Sequence, residues 1–513
     1  MNSGYELPEL QGGSISGSGT GGTSEALEHG RESPPTPGEG DGVRLLETTN
    51  PFFSFLSGDD DFSTDDSLAP SSQTRHRGGL RNARNLLTLV LAVAVVALSI
   101  ALALVASDEA PSSNTGTTPA FAALPPADRR IARLAFGSCA KQNYPQPYWD
   151  VVSALTPAVD ALILLGDNVY GDCSDAECRE LERAYQDLMD KPSFLGARRL
   201  TPMVAVWDDH DAGQNDAWSA NPFKAYAKSL FLGFWQIPLD DERHSRDGLY
   251  RSYLWGPPGQ RLQVILLDTR WFRSEFMATD EPMTPGKERY MPRDHSDEYW
   301  AARNDDQGGG GDDDDDLPTM LGEVQWAWLE QQLLVEDVAL RLVVSSVQLA
   351  ADDVGWEAWC QLPSERRRFY ALVAATTAQS GGTVLVVSGD RHVGGFYTFN
   401  YSSALNGVPP VQPFLLDVTA SSWTHTVPLA ALCELNQNSN VTSCGPHNCS
   451  AAACDEPGPN RIGSLVRDNH FGTIDVDWPA RAVTVALRRA QTSEGATGAS
   501  DAGTLLREMS FEF

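Results

Sequence analysis

From Arg129 onward the chain alternates short, uninterrupted apolar runs with stretches of helical spacing, and this alternation restricts the fold more than any other feature. The runs are Ala132–Phe136, Ala161–Leu165, Met203–Trp207, Leu262–Leu267, Leu340–Ser345, Val384–Ser388 and Pro413–Val418. A strand that is apolar at both odd and even positions has no face to offer water, so helices must cover the sheets it joins. Helical spacing predicts helices over Pro147–Leu155, Ala176–Leu188, Pro222–Phe234, Glu323–Val335 and Ser364–Ala378. The stretches Gly472–Asp477 and Ala482–Leu487 read as a closing hairpin. One α/β domain over 131–513, with loop insertions and no internal repeat, is expected.

The N-terminal part is of a different kind. Residues 1–84 are rich in Gly, Ser, Pro, Thr and acidic side chains, a composition that buries too little apolar surface to order the chain, and a disordered tail is expected. Leu86–Ala106 is apolar apart from Thr88 and Ser99, long enough to cross a hydrocarbon core of about 30 Å as a helix. A single transmembrane signal-anchor helix over 85–107 is therefore predicted, followed by a linker over 108–130. Arg75, Arg77, Arg81 and Arg84 precede it, whereas Asp108 and Glu109 follow, so the N-terminus is expected in the cytosol and the domain in a lumen or outside the cell. Two short tail patterns, Asp41 to Leu46 and Asn50-Pro51-Phe52, resemble signals read by sorting adaptors.

Other features agree with that side of the membrane. Asn400, Asn440 and Asn448 each open a glycosylation sequon. Of eight cysteines, Cys433, Cys444, Cys449 and Cys454 crowd one polar segment, while Cys173 and Cys178 lie close together. Disulfides in an oxidising compartment are expected of both groups, with a zinc knuckle as the competing reading of the first. Cys139 and Cys360 are left over. The formal charge of −31 excludes extended nucleic acid as a partner, because a phosphate backbone needs compensating Lys and Arg. Asp312 to Asp316 reads as a solvated loop insertion, with calcium binding as the alternative.

The apolar strands end in a recurring chemistry. One ends in Cys139, the next in Asp167, Asn168 and Tyr170, another in Asp208, Asp209, His210 and Asp211, and a fourth in Asp390, Arg391 and His392. In open α/β sheets, ligands gather at the carboxyl ends of strands, so residues distant in sequence can converge there. A single Gly-Asp after a strand reads as a capped turn; four donor-bearing strand ends in one domain do not. A pair of cations needs such a density of carboxylates and imidazoles, with one carboxylate shared, and Asp167 is the natural bridge. The thiol of Cys139 and phenol of Tyr170 favour a soft or trivalent ion such as iron, and the further carboxylates suit Ca, Mg or Mn. His210 is a candidate proton donor if it is not itself a ligand. Arg391 is a candidate phosphate fork, a salt bridge being its alternative role, and Asn168 joins them as a catalytic candidate.

At Phe136-Gly-Ser-Cys139, Gly166 to Asp172, Trp207 to Asp211 with Asn215-Asp216, Ser388 to His392, and Asp417 to Ser422 with His425, the chain resembles the PhoD-like (alkaline phosphatase D) branch of the calcineurin-like metallophosphoesterases. The resemblance runs from about Arg133 to Trp478. It implies a four-layer α-β-β-α metallophosphatase sandwich. It also implies an iron site of Cys139, Asp167, Tyr170 and His392 beside a divalent site of Asp167, Asp209 and Asp390, with Asp208 the other choice within its pair. Hydrolysis of phosphate monoesters or diesters outside the cytoplasm follows from the same likeness. Many relatives carry a β-sandwich ahead of the catalytic part, whereas here some twenty residues separate the predicted span from the first strand.

The expected activity is thus hydrolysis of small phosphate esters at a dinuclear centre. A membrane-tethered, non-catalytic binding protein on a phosphatase fold is the alternative, and predicts the loss of donor positions. A haloperoxidase-like or nuclease chemistry on the same scaffold is a further one.

Overall fold

The computed structural model describes residues 121–278, 290–292, 318–352, 356–401, 414–427, 458–492 and 500–513. Every described residue belongs to one compact unit within Asp61–Phe513. The expected tail, membrane span and adaptor signals lie outside the described residues, as do Asp312 to Asp316, Asn440, Asn448 and the four cysteines from Cys433 to Cys454. Among the described residues no helix is long and apolar enough to cross a membrane.

Two sheets carry the fold. The first contains β1 (Arg133–Gly137), β2 (Ala161–Leu165), β3 (Met203–Val206), β13 (His470–Asp477), β14 (Ala482–Arg489) and β15 (Leu505–Glu512), in the order β15-β14-β13-β1-β2-β3. The second contains β4 (Arg251–Trp255), β5 (Leu262–Leu266), β8 (Leu340–Ser345), β9 (Thr383–Ser388), β10 (Gly394–Asn400), β11 (Phe414–Ala420) and β12 (Arg461–Val466), in the order β12-β10-β11-β9-β8-β5-β4. A two-residue ladder, β6 (Met277–Ala278) with β7 (Tyr290–Met291), stands apart. Pairing is parallel from β1 to β3 and from β5 through β8 and β9 to β11, and antiparallel at the margins.

Because side chains alternate across a strand, each central strand feeds two cores. Leu134 and Phe136 of β1 and Ile163 of β2 meet Val264, Leu342, Val344 and Leu385 of the second sheet in a core between the sheets. Ala135, Leu162, Leu164 and Ala205 point the other way, against helices α1 (Tyr148–Ser153), α2 (Arg179–Met189), α3 (Pro192–Leu200) and α4 (Lys224–Phe234). Ile265, Val343, Val384 and Val386 face α5 (Gly322–Leu333) and α6 (Pro363–Ser380). The layers therefore run helix, sheet, sheet, helix. In α2 the buried positions Leu181, Ala184, Tyr185 and Leu188 follow the three-to-four spacing of one helical face. In α6, Pro363 takes the first turn, where its missing N–H has no partner to lose.

Every apolar run read as a strand is one, with ends moved by one or two residues. Helix α3 and strands β4, β10, β12 and β15 were not expected. These strands lie at or near sheet margins, where one face is half-exposed and the apolar signal thins; β10 begins with two glycines. Cys173 and Cys178, among the cysteines expected to form disulfides, are joined to each other, and Cys139 and Cys360 are buried outside that link.

Candidate metal centre

The parallel strands of both sheets direct their carboxyl ends to one place. After β1 the chain turns at Cys139, after β2 at Asp167, and after β9 at Asp390 and His392, all four with positive φ of 49° to 70°. Non-glycine residues in this region cost about 1–3 kcal/mol each and persist where surrounding structure holds them, commonly at functional sites. Gly166, at φ 101°, has no alternative: a Cβ there would lie 2.5 Å from that of Asp208.

Cys139, Asp167, Tyr170 and His392 come together. The Cys139 Sγ lies 3.5 Å from Asp167 Oδ2 and 3.1 Å from Ser421 Oγ. The Tyr170 hydroxyl donates to Asp167 Oδ2 at 3.0 Å and sits 3.0 Å from His392 Nε2. Donor atoms of Cys139, Asp167 and His392 all lie within 4.8 Å of one another, as do those of Asp167, Asp209 and His210, and those of Asp208, Asp209 and Asp390. Asp167 and Asp209 each belong to two of these groups, so the three form one continuous cluster.

Electrostatics follow from enclosure. Burial pushes the Cys139 thiol up to about 12, against hydrogen bonds from Ser421 and Ser138 that favour the thiolate. Burial, and then the charge of Asp209, raises Asp167; burial and Asp208 likewise raise Asp390. His392 falls well below its ordinary value through burial and the nearby His425. Asp209 is the exception: burial opposes its charge, but His210, Arg270 and the Asp216 N–H, 2.7 Å from its Oδ2, hold its carboxyl low. Two wholly buried oxygens in the cluster, Asp167 Oδ1 and Asp208 Oδ2, have no hydrogen-bond partner. Crowded carboxylates with unused lone pairs, beside a thiol, a phenol and an imidazole, form a donor set suited to cations.

The remaining candidates divide. His210 is at the centre: its Nδ1 is 2.7 Å from Asp172 Oδ1 and its ring 4.2 Å from that of Tyr170. Burial disfavours its charge, yet Asp209 and Asp172 outweigh it and raise the imidazole to about 9. Asn168 instead braces the frame, donating both amide hydrogens, to Val206 O and to Asp211. Asp211 is a fully buried hub that also accepts from the backbone of Asn168 and Asp208. Arg391 is buried with its guanidinium 4.8 Å from the centre of the Trp356 ring. Asp417 likewise holds the Leu349 and Ala350 N–H groups and stays out of the cluster.

Arg270 enters the cluster. Its Nε donates to Asp208 Oδ1 at 2.5 Å, one terminal nitrogen to Glu357 at 2.5 Å, and the other lies 3.8 Å from Asp209 and 3.9 Å from Asp390. Arg273 holds the second oxygen of Glu357, also at 2.5 Å. Ser346 donates to the same Asp208 oxygen at 2.5 Å. Sequence reasoning missed these residues. The signal was available for Arg270, because Leu267-Asp268-Thr269-Arg270 is another polar tail on an apolar strand. Glu357, in a loop, offered none.

The sequence model of the PhoD-like phosphatase family matches residues 134–409, the stretch that supplies every candidate donor named above. Among solved structures, one described as "Structure of PhoD" matches with TM-score 0.53 and 14% identity over 76% of this chain and 71% of its own. Another, described as "GAP50 the anchor in the inner membrane complex of Plasmodium", has TM-score 0.40 and 10% identity over 75% of this chain and 89% of its own, too distant to carry an argument. No curated protein matches the chain. A family match over more than half the residues, on a fold shared with a PhoD structure, leads to one conclusion: this chain belongs to the PhoD-like phosphatases.

Proposed function

We propose that the chain hydrolyses small phosphate monoesters or diesters at a dinuclear metal centre. The observation that carries this reading is the convergence of Cys139, Asp167, Tyr170 and His392 with Asp209 and Asp390, two of the cluster's carboxylate oxygens lacking any partner. The first four residues would hold iron; Asp167, Asp209 and Asp390 would hold Ca, Mg or Mn. When bound, such ions supply Lewis acidity toward phosphoryl oxygens and a hydroxide near neutral pH. Of the two neighbouring acids Asp209 is taken as the ligand and Asp208 is the other choice: Asp208 Oδ1 accepts from Arg270 and Ser346 while its Oδ2 has no partner, and both Asp209 oxygens accept backbone N–H groups.

The chain's own groups account for the rest. His210, held by Asp172, would supply the proton to the departing ester oxygen. Arg270 offsets the charge of Asp208 and Glu357, which would otherwise repel an incoming phosphate. Asp211 and Asn168 fix the β2 and β3 turns relative to each other. The non-catalytic alternative requires lost donors, and each expected donor position is filled by a competent one.

We place this domain, 131–513, on the luminal or extracellular side of a membrane, beyond the span expected at 85–107. The Cys173–Cys178 disulfide and the sequon at Asn400, at the exposed end of β10, support that side. Failure of Asn400, Asn440 and Asn448 to be glycosylated in a microsomal translation assay would reverse it. For the activity, the full-length chain in detergent micelles is assayed for bound metals and for hydrolysis of an aryl phosphate and a bis-aryl phosphate. Hydrolysis of either, lost in Asp167→Ala, is expected. No hydrolysis by metal-replete protein, with the variant indistinguishable, overturns the proposal.

A further inference from the structure

A cavity of about 320 Å³ adjoins the carboxylate side of the centre. Asp216 joins the two: it forms part of the cavity wall, its N–H donates to Asp209 at 2.7 Å, and its carboxylate accepts from the Tyr290 hydroxyl at 2.8 Å. The volume falls within the range of small-ligand sites. Half-buried Trp218 and Tyr290 and buried Phe276 and Arg273 line it, with exposed Glu275 at the rim. Phe276 meets Tyr290 edge-on, ring centroids 5.5 Å apart, and carries the Arg273 guanidinium 4.1 Å above its face.

We infer that this cavity is the seat of the ester's alcohol half, and that it selects a planar, uncharged ring. The inference rests on the phosphoesterase reading and adds to it a class of leaving group. Three observations carry it. Aromatic walls favour a flat group, which stacks or meets them edge-on. The cavity also adjoins the cluster through Asp216, whose N–H donates to Asp209, so a ring held there lies beside the carboxylates. Arg273 is engaged by Glu357 at 2.5 Å, a carboxylate it shares with Arg270, and exposed Glu275 adds a carboxylate that disfavours an anionic substituent.

The test uses the full-length, metal-loaded chain and non-hydrolysable phosphonates, with binding measured by calorimetry so that turnover plays no part. Phenylphosphonate should bind roughly tenfold or more tightly than methylphosphonate, and Trp218→Ala should bring the two within about threefold. Phenylphosphonate should also bind more tightly than 4-carboxyphenylphosphonate, and Glu275→Gln, at an exposed position that the fold does not depend on, should narrow that gap. Equal binding of phenyl- and methylphosphonate by the native chain overturns the inference. So does a Glu275→Gln chain that discriminates against the carboxylate as strongly as before. Hydrolysis of 4-nitrophenyl phosphate, measured in parallel, separates the two failures: its absence counts against the phosphoesterase reading, whereas its presence without ring selection counts against the cavity alone.

Discussion

The two halves of the centre are balanced in opposite ways. On one side, Cys139, Tyr170 and His392 gather around Asp167 with no arginine or lysine among their hydrogen-bond partners. On the other, Asp208, Asp209, Asp390 and Glu357 surround Arg270, with Arg273 behind. Among the described residues, the first half makes no ion pair with an arginine or lysine. The second brings much of its countercharge with it. One cluster thus contains a part with little countercharge of its own and a part that sets two guanidinium groups among its acids.

The strongest way to break that contrast is Asp167→Ala. It removes the carboxylate common to both halves, and kcat/KM for an aryl phosphate should fall by about 10³-fold or more, roughly 4 kcal/mol of barrier. Bound iron should fall with it, as metal analysis will show. Unchanged metal content would mean that Asp167 is not the bridge.

Next in size is Arg270→Met, which leaves Asp208 and Glu357 buried without their partner. A loss of about 3–5 kcal/mol in unfolding free energy is expected from denaturant titration. Added divalent cation should recover part of it if the acids accept a metal in place of the guanidinium. A loss independent of cation would make Arg270 purely structural.

A smaller effect sharpens the first half. His470, fully buried, accepts the Ser421 N–H, and Ser421 contacts both Cys139 and the His392 backbone. Burial lowers the imidazole to about 4, against a hydrogen bond to Asp468 that favours its charge. Between the ordinary histidine value and about 4, the unfolded chain takes the proton and the folded chain does not. Stability should therefore be complete above about pH 6.5, decline by up to about 3 kcal/mol on acidification toward about pH 4, and then level off. Replacement by Gln should remove that component. The same acid slope in His470→Gln would assign it elsewhere.

The smallest expected effect is loss of the Cys173–Cys178 link beside Asp172, which holds His210. So short a loop returns roughly 2 kcal/mol of chain entropy when opened. Cys173→Ser with Cys178→Ser should lower the melting temperature by a few degrees and shift the pH profile more than the metal content.

Much of this layout was legible before any coordinates. Leu134–Phe136, Ala161–Leu165 and Val384–Ser388 had to be central strands, because no other element hides both faces of so short an apolar run. Their polar ends then marked Cys139, Asp167 and Asp390 as neighbours, since parallel strands deliver their carboxyl ends to one edge. What escaped was of another kind. Asn168 and Asp209 stand in similar strand-end runs, yet one donates into the frame and the other faces the cluster, and only side-chain direction separates them. Arg270 and Arg391 are chemically alike, and only packing sends one among carboxylates and the other over Trp356.

By itself, then, the sequence determined the layers, the parallel strands and the set of donors, because burial and pleat periodicity are local properties of the chain. Tertiary structure alone decided which acids are neutralised within the protein and which are left open. That choice depends on Glu357, Ser346 and Arg270 arriving from loops and strand ends far apart in sequence. Charge balance in a buried cluster is a property of the assembled neighbourhood, and no segment carries it alone.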